Sequence, residues 1–217
     1  MKKLMLTLPV IVILSVNTSF ADTTPLKIFV GANAAYNTVT WGKPVRDIEK
    51  LLDTDFAEAN LGLGIEAGIK YAPDEIYNLG FTFNYDYMFD SSAVISDAAE
   101  PFLSEIETGF SAIGLSFDNY IRFANDNNKR SDLVFGIGLA RVTERGELTP
   151  TTLGYVNGLN HTKFSDDGSA LMFKVAYNQE MTENIDLVFA IRIFGMDGKK
   201  GDIESIVNIS AGVRYNF

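Results

Sequence analysis

The chain of 217 residues contains no cysteine. That excludes a disulfide framework, a Cys-ligated zinc or iron–sulfur centre, a thiol nucleophile and the lipid-modified cysteine of a bacterial lipoprotein. Histidine occurs once, at His161. Basic residues are scarce beside acidic ones, 18 Lys and Arg against 28 Asp and Glu for a net charge of −10. Nucleic-acid binding asks for a concentrated basic surface, and none is present. Apolar residues are not scarce: they make up 47% of the chain, with 16 Phe and 9 Tyr, too many for a chain that stays solvated. The length suits one sizeable domain, and the question is what this apolar mass packs against.

The N-terminus reads as an address. Lys2 and Lys3 form a positive region, Leu4 to Val16 is mostly apolar, and Ser19 and Ala21 place small residues three and one before a cut ahead of Asp22. A membrane anchor fits less well, because the apolar run is short of the roughly 20 residues a spanning helix needs and Pro9 breaks it. Residues 1–21 are therefore expected to be a cleaved signal peptide and residues 22–217 the working domain. Cleavage removes two lysines and no acid, which leaves 196 residues with a net charge of −12.

Beyond residue 21 no apolar run approaches helix-spanning length, yet apolar residues recur with period two. Leu61, Leu63, Ile65, Ala67, Ile69 and Tyr71 alternate with Asn60, Gly62, Gly64, Glu66, Gly68 and Lys70. Tyr77, Leu79, Phe81, Phe83, Tyr85, Tyr87 and Phe89 alternate with Asn78, Gly80, Thr82, Asn84 and Asp86. Period two means strands with two different faces. The same pattern predicts eight strands, at about 26–36, 60–71, 77–89, 109–123, 133–143, 170–179, 185–195 and 203–217.

The apolar face belongs inside a soluble barrel or outside a membrane barrel, and side-chain size decides between them. Nine glycines, Gly62, Gly64, Gly68 and Gly136 among them, lie on the polar face. Glycine on a solvated strand face only weakens the strand, whereas inside a narrow barrel it leaves room for the charged side chains around it. Strands of 10–14 residues also exceed the usual five or six and match the roughly 9–11 needed to cross a bilayer at a tilt. The connections alternate long (37–59, 90–108, 144–169) and short (72–76, 124–132, 180–184) before a last one at 196–202, the pattern of outer loops and periplasmic turns. Aromatic residues gather at strand ends: Tyr71, Tyr77, Phe123, Tyr177, Tyr215 and Phe217 at one rim, Tyr36, Tyr87, Phe89, Trp41 and Phe110 at the other. The expected fold is all-β, an eight-stranded antiparallel up-and-down transmembrane barrel with long extracellular loops and short periplasmic turns.

The chain resembles the eight-stranded outer-membrane barrels of Gram-negative bacteria, which include the OmpA transmembrane domain and the opacity-type surface proteins. The terminal run Ile209, Ala211, Val213, Tyr215 and Phe217 is similar to that family's assembly signal, a C-terminal Phe preceded by alternating apolar residues. The resemblance implies a multi-pass protein of the Gram-negative outer membrane, in contact with lipid and lipopolysaccharide. It also implies that the barrel-assembly machinery reads Val213, Tyr215 and Phe217. The peptidoglycan-binding domain attached to some OmpA-like proteins is not expected, since the chain stops at Phe217.

The polar faces of these strands carry Lys27, Lys70, Arg122, Lys174, Arg192 and Arg214 against Glu66, Asp86, Asp118, Asp186 and Glu204. Near-cancellation predicts mutual pairing, since buried charges must be paired or neutralised. An eight-stranded barrel is only just wide enough to be filled by its own side chains. The expectation is a plugged lumen; a narrow ion path along Glu66, Asp118 and Lys174 is the alternative. A lipid-modifying enzyme is a weaker third reading, because His161, with Ser165 and Asp166 nearby, sits in a polar loop without fixed geometry. Asp86 with Glu204 is another loose carboxylate pair. Asp97, Glu100, Glu105, Glu107, Asp166 and Asp167 lack the spacing of a calcium loop, so no metal or cofactor is expected. Function then falls to the long loops, about a third of the mature chain. The first has Ile48, Leu51, Leu52 and Phe56 at helical spacing, a short helix or a lid on the barrel mouth. Contact with a host or cell-surface ligand, or a structural envelope role, is the functional expectation.

Overall fold

Leu139 is 68% exposed and Arg192 2%: the apolar and charged faces of these strands are exchanged relative to a soluble protein. The computed structural model describes residues 26–52, 58–73, 76–97, 100–124, 129–152, 158, 160–196 and 203–217. The expected signal peptide lies outside these residues. Eight antiparallel strands, each bonded to its neighbour in sequence, close into a barrel: β1 (Leu26–Trp41), β2 (Ala59–Tyr71), β3 (Tyr77–Asp97), β4 (Glu100–Ala124), β5 (Arg130–Pro150), β6 (Thr162–Thr182), β7 (Ile185–Gly195) and β8 (Ile203–Asn216). The seam pairs β1 with β8 from Phe29 opposite Asn216 to Trp41 opposite Ile203. Closure gives every wall strand two partners, which is what a strand in hydrocarbon requires.

The period-two pattern dictates which way each residue points. Leu63, Phe83, Leu115, Ile137, Phe173, Ile191 and Val213 face outward and are exposed, while Lys174, Asp86, Asp118 and Arg214 on the alternate positions are buried. At the short-turn end, Phe123 stacks near Tyr177 at 6.2 Å and Tyr215 meets Phe217 edge-on at 5.0 Å. The turn between β6 and β7 is Glu183–Asn184, and Asn184 Nδ2 donates to the Asn216 carbonyl, tying this turn to the last strand.

Three sequence expectations need correction. The second and third long connections are largely strand: β3 pairs with β4 out to Asp97 opposite Glu100, and β5 with β6 out to Leu148 opposite Thr162. Both faces are mixed or polar there, so the alternation that marks the wall loses its contrast while backbone pairing continues. β2 begins only at Ala59 and β7 ends at Gly195, so β3 to β6 rise past the rest of the barrel as a four-stranded sheet. Past the level at which β2 begins, β4 and β5 stay paired out to Ser104 opposite Pro150.

Trp41 and Phe110 are the second correction. Expected in the outer aromatic girdle, they lie inside instead, 4% and 0% exposed, with ring centroids 5.7 Å apart. They keep the inward parity of Lys27 to Val39 and of Arg122 to Ala112, beyond the strand ends anticipated. The third is Glu204. A register shift pairs Thr40 with Ser205 but Trp41 with Ile203, so Glu204 bulges outward and Ile203 turns in.

Between β1 and β2, α1 (Lys43–Leu52) lies within the first long connection, where helical spacing was read. Phe56, part of that spacing, lies outside the described residues. The Val45 side chain is buried in the apolar cluster at the barrel mouth, and Arg46 bonds Glu204 of β8 at 3.2 Å. The helix is thereby a lid fastened to the opposite side of the seam.

Candidate functional site

The barrel interior is built in tiers, and the alternation places one residue in a tier every second position. At the short-turn end, Lys70 (β2) and Arg122 (β4) both pair with Asp132 (β5), Arg122 Nε at 3.0 Å. Asp132 was not among the residues read as lumenal. It shares the parity of Val134 and Gly136 and falls one residue before the strand start expected there. Asp186 also lies at this end and accepts from Asn216 Nδ2 at 3.0 Å; no cation is brought to it among the ion pairs of the described residues.

The middle tier joins opposite walls. Arg214 (β8) donates through Nε and Nη2 to Glu66 Oε1 at 2.9 and 2.6 Å, with its guanidinium 4.0 Å from the Phe29 ring centroid. Arg192 (β7) lies 3.7 Å from Glu66 Oε2 and donates to Asp86 at 2.9 Å and Asn208 at 3.3 Å. Asn208 in turn donates to Asn37 at 2.7 Å, and Asn84 donates to Asp86 at 2.8 Å. On the other side, Lys174 (β6) donates to Asp118 (β4) at 2.8 Å, and Thr82 donates to the same carboxylate at 2.6 Å. Glycines make the hollows these groups occupy. A methyl on Gly31 would meet Glu66 Oε1 at 3.1 Å, and one on Gly64 would meet Asn33 Oδ1 at 2.7 Å. Of the eight network residues expected, Glu66, Arg192 and Arg214 form one chain, Asp118 and Lys174 a second pair, and Lys70 and Arg122 converge on Asp132.

Above the charges lies an apolar layer. Val39, Trp41, Met88, Phe110, Val142, Met172, Phe194, Ile203 and Ile206 form one buried cluster, with Val45 of the lid on top. The alternation of polar and apolar residues marks the charges and not this layer, whose inward positions are themselves apolar. Trp41 is the chain's one tryptophan, so its fluorescence reports on this cluster. Emission from the folded protein is expected to be shielded from acrylamide; Val45→Asp, which drives a charge into the cluster, is expected to raise quenching severalfold without opening the barrel. Equal quenching in both would refute the lid contact.

The outer sheet carries small paired clusters. His161 Nε2 lies 2.6 Å from Glu147 Oε1, and Lys163 bonds the other oxygen of Glu147 at 2.7 Å. Hydrogen bonds from Lys163 and His161 hold the Glu147 carboxyl below its ordinary value. Arg141 and Thr143 bond Asp167, and their hydrogen bonds likewise lower that carboxyl. Ser165 donates to the Glu144 carbonyl at 3.0 Å and Asp166 accepts from the Asp167 amide at 2.8 Å, so His161, Ser165 and Asp166 are not brought together. Neither are Asp86, held by Arg192, and Glu204, held by Arg46. Among the described residues no group of three or more His, Asp or Glu side chains is placed to hold a metal ion.

No protein-family model and no curated protein sequence matches the chain. Solved structures do match its fold. Over 88% of this chain and 97% of the other, it is similar to Ail, the attachment invasion locus protein of Yersinia pestis, at 10% identity and a TM-score of 0.51. Over 89% and 96%, it is similar to the outer membrane protein OprG of Pseudomonas aeruginosa, at 11% identity and a TM-score of 0.54. A major outer membrane protein of Thermus thermophilus matches over 87% and 99%, at 10% identity and 0.51. At such identities the likeness speaks for fold alone, and together with the closed register of all eight strands it makes this chain an eight-stranded antiparallel barrel of the outer-membrane type.

Proposed function

We propose that this is an integral outer-membrane surface protein without enzymatic activity, whose plugged barrel is an anchor and whose outward β3–β6 sheet and α1 lid are the working surface. The observation that carries the reading is the contrast between the two ends of the interior. The interior holds paired charges and then a buried apolar layer, while four strands continue past it into an exposed sheet. A conducting path needs wetted polar walls along its length, and the cluster around Trp41 and Phe110 supplies none. The attachment named for Ail is that protein's; carried over as a proposal, it fits an outward sheet. Surface interaction or adhesion is thus preferred, with a structural envelope role as its bland counterpart.

The rest of the reading follows from the same architecture. Residues 1–21 direct export and are removed, the barrel-assembly machinery reads Val213, Tyr215 and Phe217, and the exposed aliphatic belt contacts outer-membrane lipid and lipopolysaccharide. Two measurements test the function. Folded protein in planar bilayers is expected to give no stepwise conductance; discrete steps that change when Glu66 or Lys174 is neutralised would install the small-channel alternative. Replacing residues 91–107 and 145–167 by tight turns is expected to leave the barrel folded and to abolish attachment of expressing cells to host cells or matrix. Unchanged attachment would sink the adhesive reading.

A further inference from the structure

We propose that the outer face of β1 binds one glycolipid of the outer leaflet, with its sugar in a groove beside α1 and an acyl chain in a trough of alanines below it. The inference rests on the outer-membrane reading above. The groove has a volume of about 310 Å³, within the range of small-molecule sites. It is lined by Tyr36, Thr38 and Thr40 of β1, by Arg46 and Glu49 of α1, and by Glu58 just ahead of β2. Tyr36, Thr38 and Thr40 share the outward parity of Val30, Ala32 and Ala34, so the groove adjoins the lipid-facing surface. It begins where that face of β1 turns from apolar to polar, which is where hydrocarbon gives way to headgroups.

The trough is the second, independent observation. Ala32 and Ala34 continue the face of Tyr36 toward the membrane centre, and Ala211 of β8 stands opposite Ala34. Exposed Leu63 of β2 flanks Ala34 on one side, and exposed Phe189 of β7 flanks Ala211 on the other. The belt on β3 to β6 is built instead from large residues such as Phe83, Leu115, Ile137 and Phe173. Alanines on a lipid face are ordinary by themselves; here they lie end to end with a polar groove on one strand face. Water fills the groove and not the trough, a free hydrocarbon chain the trough and not the groove, and one amphiphile fills both. The groove also selects the head. Its charged lining is one guanidinium, already bonded to Glu204, and two carboxylates, a balance that disfavours a phosphate and favours a head rich in hydroxyl donors. The half-exposed Tyr36 ring offers an apolar face against which a sugar ring can lie.

The test places the full mature chain in phosphatidylcholine nanodiscs doped with monoglucosyldiacylglycerol, or with diacylglycerol or phosphatidic acid of the same acyl chains. The heat-shifted band is read first, so a chain that forms no barrel fails there and not in the lipid measurement. Native mass spectrometry is then expected to show one retained monoglucosyldiacylglycerol per chain, about tenfold or more over either other lipid. Ala34→Phe, which fills the trough, and Glu58→Ala, which removes an acceptor from the groove, are each expected to lower retention about tenfold. Leu139→Phe on the far wall is expected to leave it unchanged, and Ala32→Leu replaces Ala34→Phe should that variant not fold. Equal retention of diacylglycerol, preference for phosphatidic acid, or unchanged retention by the trough variant overturns the proposal. Displacement of the lipid by an equal concentration of soluble methyl glucoside overturns it too, since the groove then serves free sugar.

Discussion

Asp118→Asn is expected to lower the unfolding free energy of the barrel by about 3–5 kcal/mol, the cost of leaving a buried charge without its partner. Lys174 and Asp118 are 3% and 0% exposed, and the ammonium donates directly to the carboxylate at 2.8 Å. Asn keeps the size of Asp and can still accept from Thr82, so the loss isolates charge rather than volume. The second half of the prediction is the sharper one. Adding Lys174→Met, which removes the stranded ammonium while keeping a side chain of similar length, is expected to recover most of the loss, because a buried pair is worth little beyond a well-packed apolar replacement. Urea unfolding of the detergent-folded protein reads both effects. A double variant as unstable as the single would show that the carboxylate itself holds the tier through the hydroxyls of Thr82 and Tyr120, which donate to it at 2.6 and 3.4 Å, and would remove the view that these charges matter mainly as a neutral set.

Gly212→Val is expected to abolish closure, leaving no band that migrates differently before and after heating. Gly212 sits on the seam, paired with Asn33 of β1 on one side and Val188 of β7 on the other. A Cβ there would run into the Ala32 carbonyl and stand 2.8 Å from the Asn33 Cα, which is backbone that cannot swing aside. Gly138→Val repeats the experiment on the far wall, where the obstacle is the Leu115 carbonyl and the Ser116 Cα at 2.8 Å. Overpacking of an ordinary core costs about 1–3 kcal/mol because side chains yield; strands this close cannot. Gly195→Ala is the control, since its nearest neighbour would be the Leu171 carbonyl at 4.0 Å, an ordinary contact. A folded Gly212→Val protein would mean that the seam tolerates a wider barrel than its register implies.

These expectations rest on features of unequal visibility in the sequence. Which side chains enter the lumen was legible wherever large aliphatic and polar residues alternate, as from Asn60 to Tyr71, because a pleated strand sends neighbours to opposite faces. It was lost where contrast faded. Trp41 and Phe110 are apolar on an inward face, and size alone suggested a girdle. Asp132 lies in what looked like a turn, although its parity with Val134 was available. Glu204 obeys a parity that a bulge interrupts, and a bulge opposite Trp41 leaves no signature in composition. The His161 partner, Glu147, lies 14 positions away on the adjoining strand, and only the β5–β6 register brings them together.

Order along the chain therefore settles the local facts: eight strands, their two faces, the glycine hollows and the near-balance of lumenal charge, all consequences of a two-residue period acting on residue type. Pairing across the barrel is of another kind. Arg214 finds Glu66 across 148 positions and Arg192 finds Asp86 across 106, distances set by shear and closure rather than by spacing. The apolar layer above them and the lid that Arg46 fastens to Glu204 exist only because closure brings eight strands into contact. An alternation states which face a side chain takes; only the closed register states what it meets there.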